Sequence, residues 1–357
     1  MDSTDTTEDD HANTTETTDS GFYKYFSIDN PNKKHLKYLN KYGYLDKSIE
    51  WIALEKIHGA NFSFIVDNDK VLVAKRTGLI KTDENFYHCD VVRDKYTSDA
   101  MEIYKRIKTE NPLVLTINIF GELFGGRYPG IRSPMNNPVQ KGVFYSPNIE
   151  FLVFDIRINF DSESWFISHD EINSLLINLT MKVVPILHKG TFDQIIKLDP
   201  IFESTIYTMF NLAPVKNNMA EGYVLKTNQR HDCHYHRPII KNKNGKTFGE
   251  VHSTEHEKAN QELDLTKNKF IPEIIPYCTQ QRFNNTISKI GINNPIEKIR
   301  GIYVADVVDD FRKNLTDKSY EEFDSQCRQI KLLIIKYLTL GDCLDIWLSE
   351  YTNPDTD

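Results

Sequence analysis

Apolar positions along this chain follow two patterns. Up to about residue 255 they gather mostly in short, β-like runs set apart by Gly, Asn and Asp. The runs 61–66, 71–75, 113–120, 151–158, 222–227 and 238–242 are of this kind, and 51–66 as a whole reads as an apolar, strand-like segment. One helix interrupts them: Ser168 and Glu171 have the capping-box spacing ahead of Ile172, Leu175, Leu176 and Leu179, which share a helical face. From about residue 265 the pattern changes to that of a helix. Ser319 and Glu322 give a second capping-box spacing before Phe323, Cys327, Ile330, Ile334 and Tyr337/Leu338, and Val304, Val307, Val308 and Phe311 form a weaker stripe. The pattern predicts an α+β fold built around antiparallel sheets over 21–260, then a small all-helical C-terminal domain over 265–352, starting near Pro272. There is no internal repeat.

Composition changes this picture at one end. Residues 1–20 are rich in Thr, Asp and Glu with almost no apolar content, a disordered acidic tail by composition. Residues 1–19 hold seven acids and no Lys or Arg, so all but one unit of the net charge of −8 belongs to the tail. The remainder has 44 acids against 43 bases, and a near-neutral body can still focus a basic groove. The five cysteines are scattered, with no Cys-x-x-Cys pair, which points to reduced thiols. With no apolar run of membrane-spanning length, no secretory segment and no Arg-rich presequence, the expectation is a cytoplasmic protein without a membrane partner, acting as a monomer.

The chemistry starts from Glu55-Lys56-Ile57-His58-Gly59-Ala60-Asn61. A lysine inside an apolar segment is costly unless it is paired or wanted uncharged, and an uncharged lysine is a nucleophile. Five further segments follow in order: Ala74-Lys75-Arg76-Thr77-Gly78, Phe120-Gly121-Glu122-Leu123, Phe151-Leu152-Val153-Phe154-Asp155-Ile156, Glu221-Gly222-Tyr223-Val224-Leu225-Lys226 and Lys241-Asn242-Lys243-Asn244. Lys241 and Lys243 are one residue apart, so on a strand both ammoniums project from one face, an arrangement that suits a polyphosphate.

This ordered set resembles the motifs of ATP-dependent RNA ligases, specifically the RNA ligase 2 type of phages and kinetoplastid editing enzymes, which carry Lys-x-His-Gly-x-Asn where DNA ligases typically carry Lys-x-Asp-Gly. The resemblance implies a covalent nucleotidyltransferase domain (the ATP-grasp-like ligase fold) and a helical C-terminal domain in place of an OB-fold. It implies ATP and Mg²⁺, with Mn²⁺ as a substitute, and joining of RNA 3′-hydroxyl and 5′-phosphate ends, in a nicked duplex or bridged, through a lysyl-AMP.

Site roles come with it. Lys56 is implied as the nucleophile, Lys241 and Lys243 as phosphate-holding groups, and Glu221 as the acid beside the nucleophile and the metal. Glu122 is implied to bind the ribose hydroxyls, and Arg76 to contact a phosphate or the sugar. Phe151, with Phe154 as the open alternative, and Val224 would sandwich the adenine, and Glu55 and Ile57 would flank it through their backbone. His58 would organise the phosphate region, with Asn61 another active-site position.

Two alternatives stay open on the residues alone. One is another covalent nucleotidyltransferase, a DNA ligase or a guanylyltransferase. The other is a catalytically dead nucleic-acid-binding relative. The cluster His231-Asp232-Cys233-His234-Tyr235-His236 has metal-ligand residue types, but crowded together they read as a polar loop.

Overall fold

A computed structural model describes residues 21–31, 33–134, 137–234, 236–245 and 268–352. The acidic tail and the boundary expected between 260 and 265 lie outside the described residues.

Among the described residues, twelve strands pair into two sheets. β1 (Trp51–Glu55), β9 (Ile186–Gly190), β10 (Gly222–Thr227) and β12 (Ile239–Lys243) form a four-stranded antiparallel sheet in the order β12-β10-β1-β9. The larger sheet runs β11-β7-β6-β5-β2-β3-β4. Its long central pair is β5 (Thr116–Arg127) and β6 (Ser146–Asn159), followed by β2 (Ala60–Val66), β3 (Val71–Lys75) and β4 (Gly78–Leu79). On the other side lie β7 (Ser164–Phe166) and β11 (His231–Asp232), while β8 (Lys182–Val183) adds to β6 as a parallel partner. Adjacent strands otherwise run antiparallel, as the short β-like runs predict.

The sheets stack face to face, and strand alternation sorts the side chains. In β1, Ile52 and Leu54 meet Phe124 and Leu152 between the sheets, while Trp51 and Ala53 point outward. That outer face is covered by α1 (Lys33–Lys41) and by α4 (Phe192–Ile195), which follows α2 and α3 in the chain. Both faces being covered explains why every residue of β1 is buried. The outer face of the large sheet, including Phe62, Phe64, Phe151 and Val153, packs against α2 (Cys89–Glu110) and, at its edge, α3 (His169–Leu175). The same apolar cluster continues into the C-terminal helices α5 (Ile271–Ile274), α6 (Gln280–Ile290), α7 (Ile296–Arg312), α8 (Asp317–Leu340) and α9 (Cys343–Thr352). The expected stripe Val304, Val307, Val308 and Phe311 is the buried face of α7. No helix among the described residues is long and apolar enough to cross a membrane.

Three local expectations need correction. The segment 51–66 is not one strand: it breaks over Lys56–Gly59, where the chain leaves the small sheet for the large one. The run 113–120 starts too early, because Leu113 is 77% exposed and pairing begins at Thr116. The capping box at Ser168 and Glu171 forms in both directions, but the one at Ser319 and Glu322 does not. α8 begins three residues earlier with Thr316 as its N-cap, and Glu322 instead pairs with Lys269 at 2.5 Å.

Candidate active site

The break after β1 is the centre of the site. The Lys56 amide still donates to the Gly222 carbonyl at 2.8 Å, extending the β1–β10 ladder by one rung. The His58 amide then donates to the Tyr145 hydroxyl at 3.0 Å, which bends the chain away. Gly59 completes the crossing, because a Cβ there would sit 2.3 Å from the Leu123 carbonyl oxygen of β5. Lys56 therefore sits where the two sheets part.

A cavity of about 410 Å³ opens at this parting. It is lined by Lys56, Glu221, Lys241 and Lys243, by Glu55, Ile57, His58 and Asn61, and by Arg76, Glu122 and Val224. Eleven of the twelve expected site residues are thus gathered in one place, from five strands (β1, β2, β5, β10 and β12), the linking turn, the β3–β4 turn (Arg76) and the position before β10 (Glu221). The exception is Phe151. Its ring is fully buried on the opposite face of the large sheet, edge-on to Phe62 and Phe64. Phe154 lines the cavity in its place.

Strand alternation puts Phe151 and Phe154, three residues apart, on opposite faces, Phe154 sharing the face of Leu152. A β-bulge then adds Asp155 to the cavity face: Phe120 pairs with Asp155 but Gly121 pairs with Val153, so β6 has one extra residue there. Phe151, Val153 and Ile156 all belong to the helix-side core, whereas the consecutive Phe154 and Asp155 both reach the cavity.

Charge is organised around one carboxylate. Glu221, 1% exposed, lies 2.7 Å from Lys56 Nζ through Oε2 and 3.2 Å from Lys243 Nζ through Oε1, with His58 Nδ1 3.5 Å away. Burial alone would raise its pKa, but the two lysines override this and hold the carboxyl well below the ordinary value. Gly222, next in the chain, has φ +128°, and a Cβ there would come within 2.1 Å of the Asn242 carbonyl oxygen. The glycine lets β10 and β12 close together, which brings Lys243 to Glu221.

Glu122 is the opposite case. Enclosure in the cleft raises its carboxyl to about 8, with Glu221 adding to the rise and Lys56 and Arg76 opposing it. Glu55 is buried and accepts hydrogen bonds from the Ser204 hydroxyl and from the Thr205 amide and hydroxyl. Burial raises its carboxyl despite those bonds.

Deeper in the cavity wall is a network that the motif reading passed over. Asp155, fully buried, takes Lys226 Nζ at 2.7 Å and both guanidinium arms of Arg237 at 2.6 Å, and accepts a bond from Tyr25. Burial favours the neutral acid, but Arg237 and Lys226 prevail and hold Asp155 far below the carboxylate range. Lys226 shares a strand face with Val224, and an aspartate within an apolar strand needs a partner, so both carried a readable signal. The second omission is a roof from the C-terminal helices. Arg282 and Lys289 of α6, Asp306 of α7 and Lys313 just beyond α7 also line the cavity. Nothing in their local sequence marks them, because they reach the site only through packing.

The donor set fits a hard cation in one way only. Glu221 offers an ionised carboxylate, and among the described residues no group of three or more His, Cys, Asp or Glu could hold a metal. Mg²⁺ or Mn²⁺ would therefore take most of its ligands from phosphate oxygens and water. The 231–236 cluster scatters: His231 is buried beside Tyr44, His234 Nδ1 meets Asp232 at 2.7 Å, and Cys233 lies near Arg157.

A family model for RNA ligase matches residues 49–243, which spans the set of motifs. RNA-editing ligase 1, mitochondrial, of Trypanosoma brucei brucei is 27% identical over 248 residues, covering 60% of this chain and 52% of the relative. RNA-editing ligase 2, mitochondrial, of the same organism is 30% identical over 235 residues, covering 57% and 55%. The chain thus spans about half the length of these curated relatives. Among solved structures, a Naegleria gruberi RNA ligase mutant with ATP and Mn aligns at 15% identity with a TM-score of 0.40, covering 62% of this chain and 56% of that one.

Proposed function

Since the chain belongs to the RNA ligase family, we propose that it is an ATP-dependent RNA ligase that seals 3′-hydroxyl and 5′-phosphate RNA ends, in a nicked duplex or bridged, acting as a monomer. Residues 21–260 would be the adenylyltransferase domain and 265–352 a helical domain. The observation that carries this reading is the Lys56–Glu221–Lys243 cluster at the mouth of a cavity whose wall includes Phe154 and Val224.

The geometry divides the work. Phe154 and Val224 offer apolar faces to a base, and Glu122, with a carboxyl held largely protonated near neutral pH, can donate to as well as accept from a ribose hydroxyl. In the first step Lys56 gives its ammonium proton to water, and the neutral Nζ attacks the α-phosphorus of ATP, forming a P–N bond and releasing a second proton to water as the P–O bond to pyrophosphate breaks. Glu221 holds the ammonium of Lys56 in place beforehand, and Lys243 and Lys241 balance the charge of the departing pyrophosphate. A 5′-phosphate oxygen of RNA then takes the AMP from Lys56, and a 3′-hydroxyl displaces AMP to make the phosphodiester. Bound Mg²⁺ would neutralise phosphate charge and compete with Lys56 for Glu221.

The test is incubation of wild type and Lys56→Ala with α-³²P-ATP and Mg²⁺, followed by a denaturing gel. Label retained by wild type and absent from the variant is the expected result. Wild type unlabelled by both ATP and GTP would overturn the reading.

A further inference from the structure

We propose that an RNA strand leaves the cleft over a rim formed by Asp29 and Lys313 and rests an unpaired base on Tyr42, the exposed outer end of a run of aromatic rings that starts at His236. The inference deepens the ligase reading above and rests on it.

The rim comes from two distant parts of the chain. Asp29 and Lys313 both line the cavity, and Lys313 Nζ lies 3.6 Å from Asp29 Oδ1. Their side chains are 43% and 58% exposed, and an exposed ion pair contributes little net stability. A phosphate can therefore take Lys313 from Asp29 at small cost. The Asp29 carbonyl also accepts the Lys241 amide at 3.0 Å, so the rim is fixed to the strand that carries the cleft lysines.

Outside the rim, rings follow one another. His35 and His236 stack at 5.1 Å and 25°, and the charge of Asp29 acts on both imidazoles. Tyr38 follows at 5.0 Å from His236, and Tyr42 at 4.5 Å from Tyr38. The inner part of the series has a structural purpose: Tyr38 donates its hydroxyl to the His236 carbonyl and ties α1 to the loop before β12. The outer end does not need one. Tyr42 is 43% exposed, with the Lys41 ammonium 5.1 Å from its ring centroid. A series of rings that ends in an exposed tyrosine beside an ammonium, with a cation at the cleft rim, suits a single strand: a base stacks on a π-face and phosphates meet cations.

The test measures anisotropy of a labelled, 5′-phosphorylated single-stranded RNA of about 12 nucleotides, long enough to reach from cleft to stack, on full-length protein without ATP. Tyr42→Ala is expected to weaken binding roughly tenfold. Lys313→Gln is expected to weaken it a few-fold and to reduce the salt dependence by about one counterion. Asp29→Asn removes the nearer of the two carboxylates that compete for Lys313, the other being Asp310 at 3.9 Å, and is expected to tighten binding. If the rim pair were only a latch, Lys313→Gln and Asp29→Asn would shift affinity in the same direction, and that result overturns the proposal. So does unchanged affinity in Tyr42→Ala. Labelling of Lys56 by ATP alone is read in parallel. Its absence in wild type refutes the ligase reading, whereas intact labelling with unmoved RNA affinity refutes only the track.

Discussion

Lys56 and Glu221 meet at 2.7 Å although 165 residues separate them, and they meet where the two sheets diverge. Lys243 approaches the other carboxylate oxygen at 3.2 Å, so one buried anion holds two cations. Glu221→Gln preserves shape and removes the charge. Lysyl-AMP formation should fall by about 100-fold or more, because charge positioning dominates phosphoryl transfer. The melting temperature should move by no more than about 5 °C, since Lys56 and Lys243, with side chains 22% and 13% exposed, can turn to cleft water. Labelling kinetics and a thermal melt read the two effects separately.

Asp155 is the contrasting carboxylate. Its partners Lys226 and Arg237 are only 2% and 6% exposed, so they have no water to turn to. Asp155→Asn leaves buried positive charge uncompensated and should cost about 3–5 kcal/mol in urea unfolding.

The two phenylalanines of β6 should separate by phenotype. Phe151→Ala opens a hole in the helix-side core and should destabilise by about 3–5 kcal/mol. Phe154→Ala should cost far less stability and raise KM for ATP by about tenfold, the scale of one lost aromatic stacking contact. The reverse pattern would place the base at Phe151.

Glu122 gives a pH signature. Its folded pKa of about 8 lies above the unfolded carboxyl value, so its contribution is fully present below that unfolded value. As pH rises toward 8 the unfolded state has already lost the proton that the folded state retains, and stability falls. Between pH 5 and 8 wild type should therefore lose about 2 kcal/mol relative to Glu122→Gln, a figure reduced from the full shift because the group borders a wet cleft. Parallel denaturation curves at several pH values measure it, and a constant difference would contradict the assignment.

The division between sequence and tertiary structure follows from what each element depends on. Local pattern determined the capping box at Ser168, the buried stripe of α7 and the shared face of Lys241 and Lys243, because helix and strand periods are properties of neighbouring residues. The ordered motifs likewise marked eleven of the twelve expected residues that line the cavity. Other features depended on partners far along the chain. Whether Phe151 or Phe154 enters the cleft is settled by the register of β6 against β5, because a one-residue slip exchanges faces. The break at Lys56 follows from Tyr145 and Leu123 gripping the turn. α8 starts at Asp317, ahead of Ser319, and Glu322 faces Lys269 from a distant part of the chain in place of a cap. The roof of Arg282, Lys289, Asp306 and Lys313 reaches the cavity because an apolar face docks the C-terminal helices on the large sheet, and no local rule reports which charges such docking leaves facing a cleft.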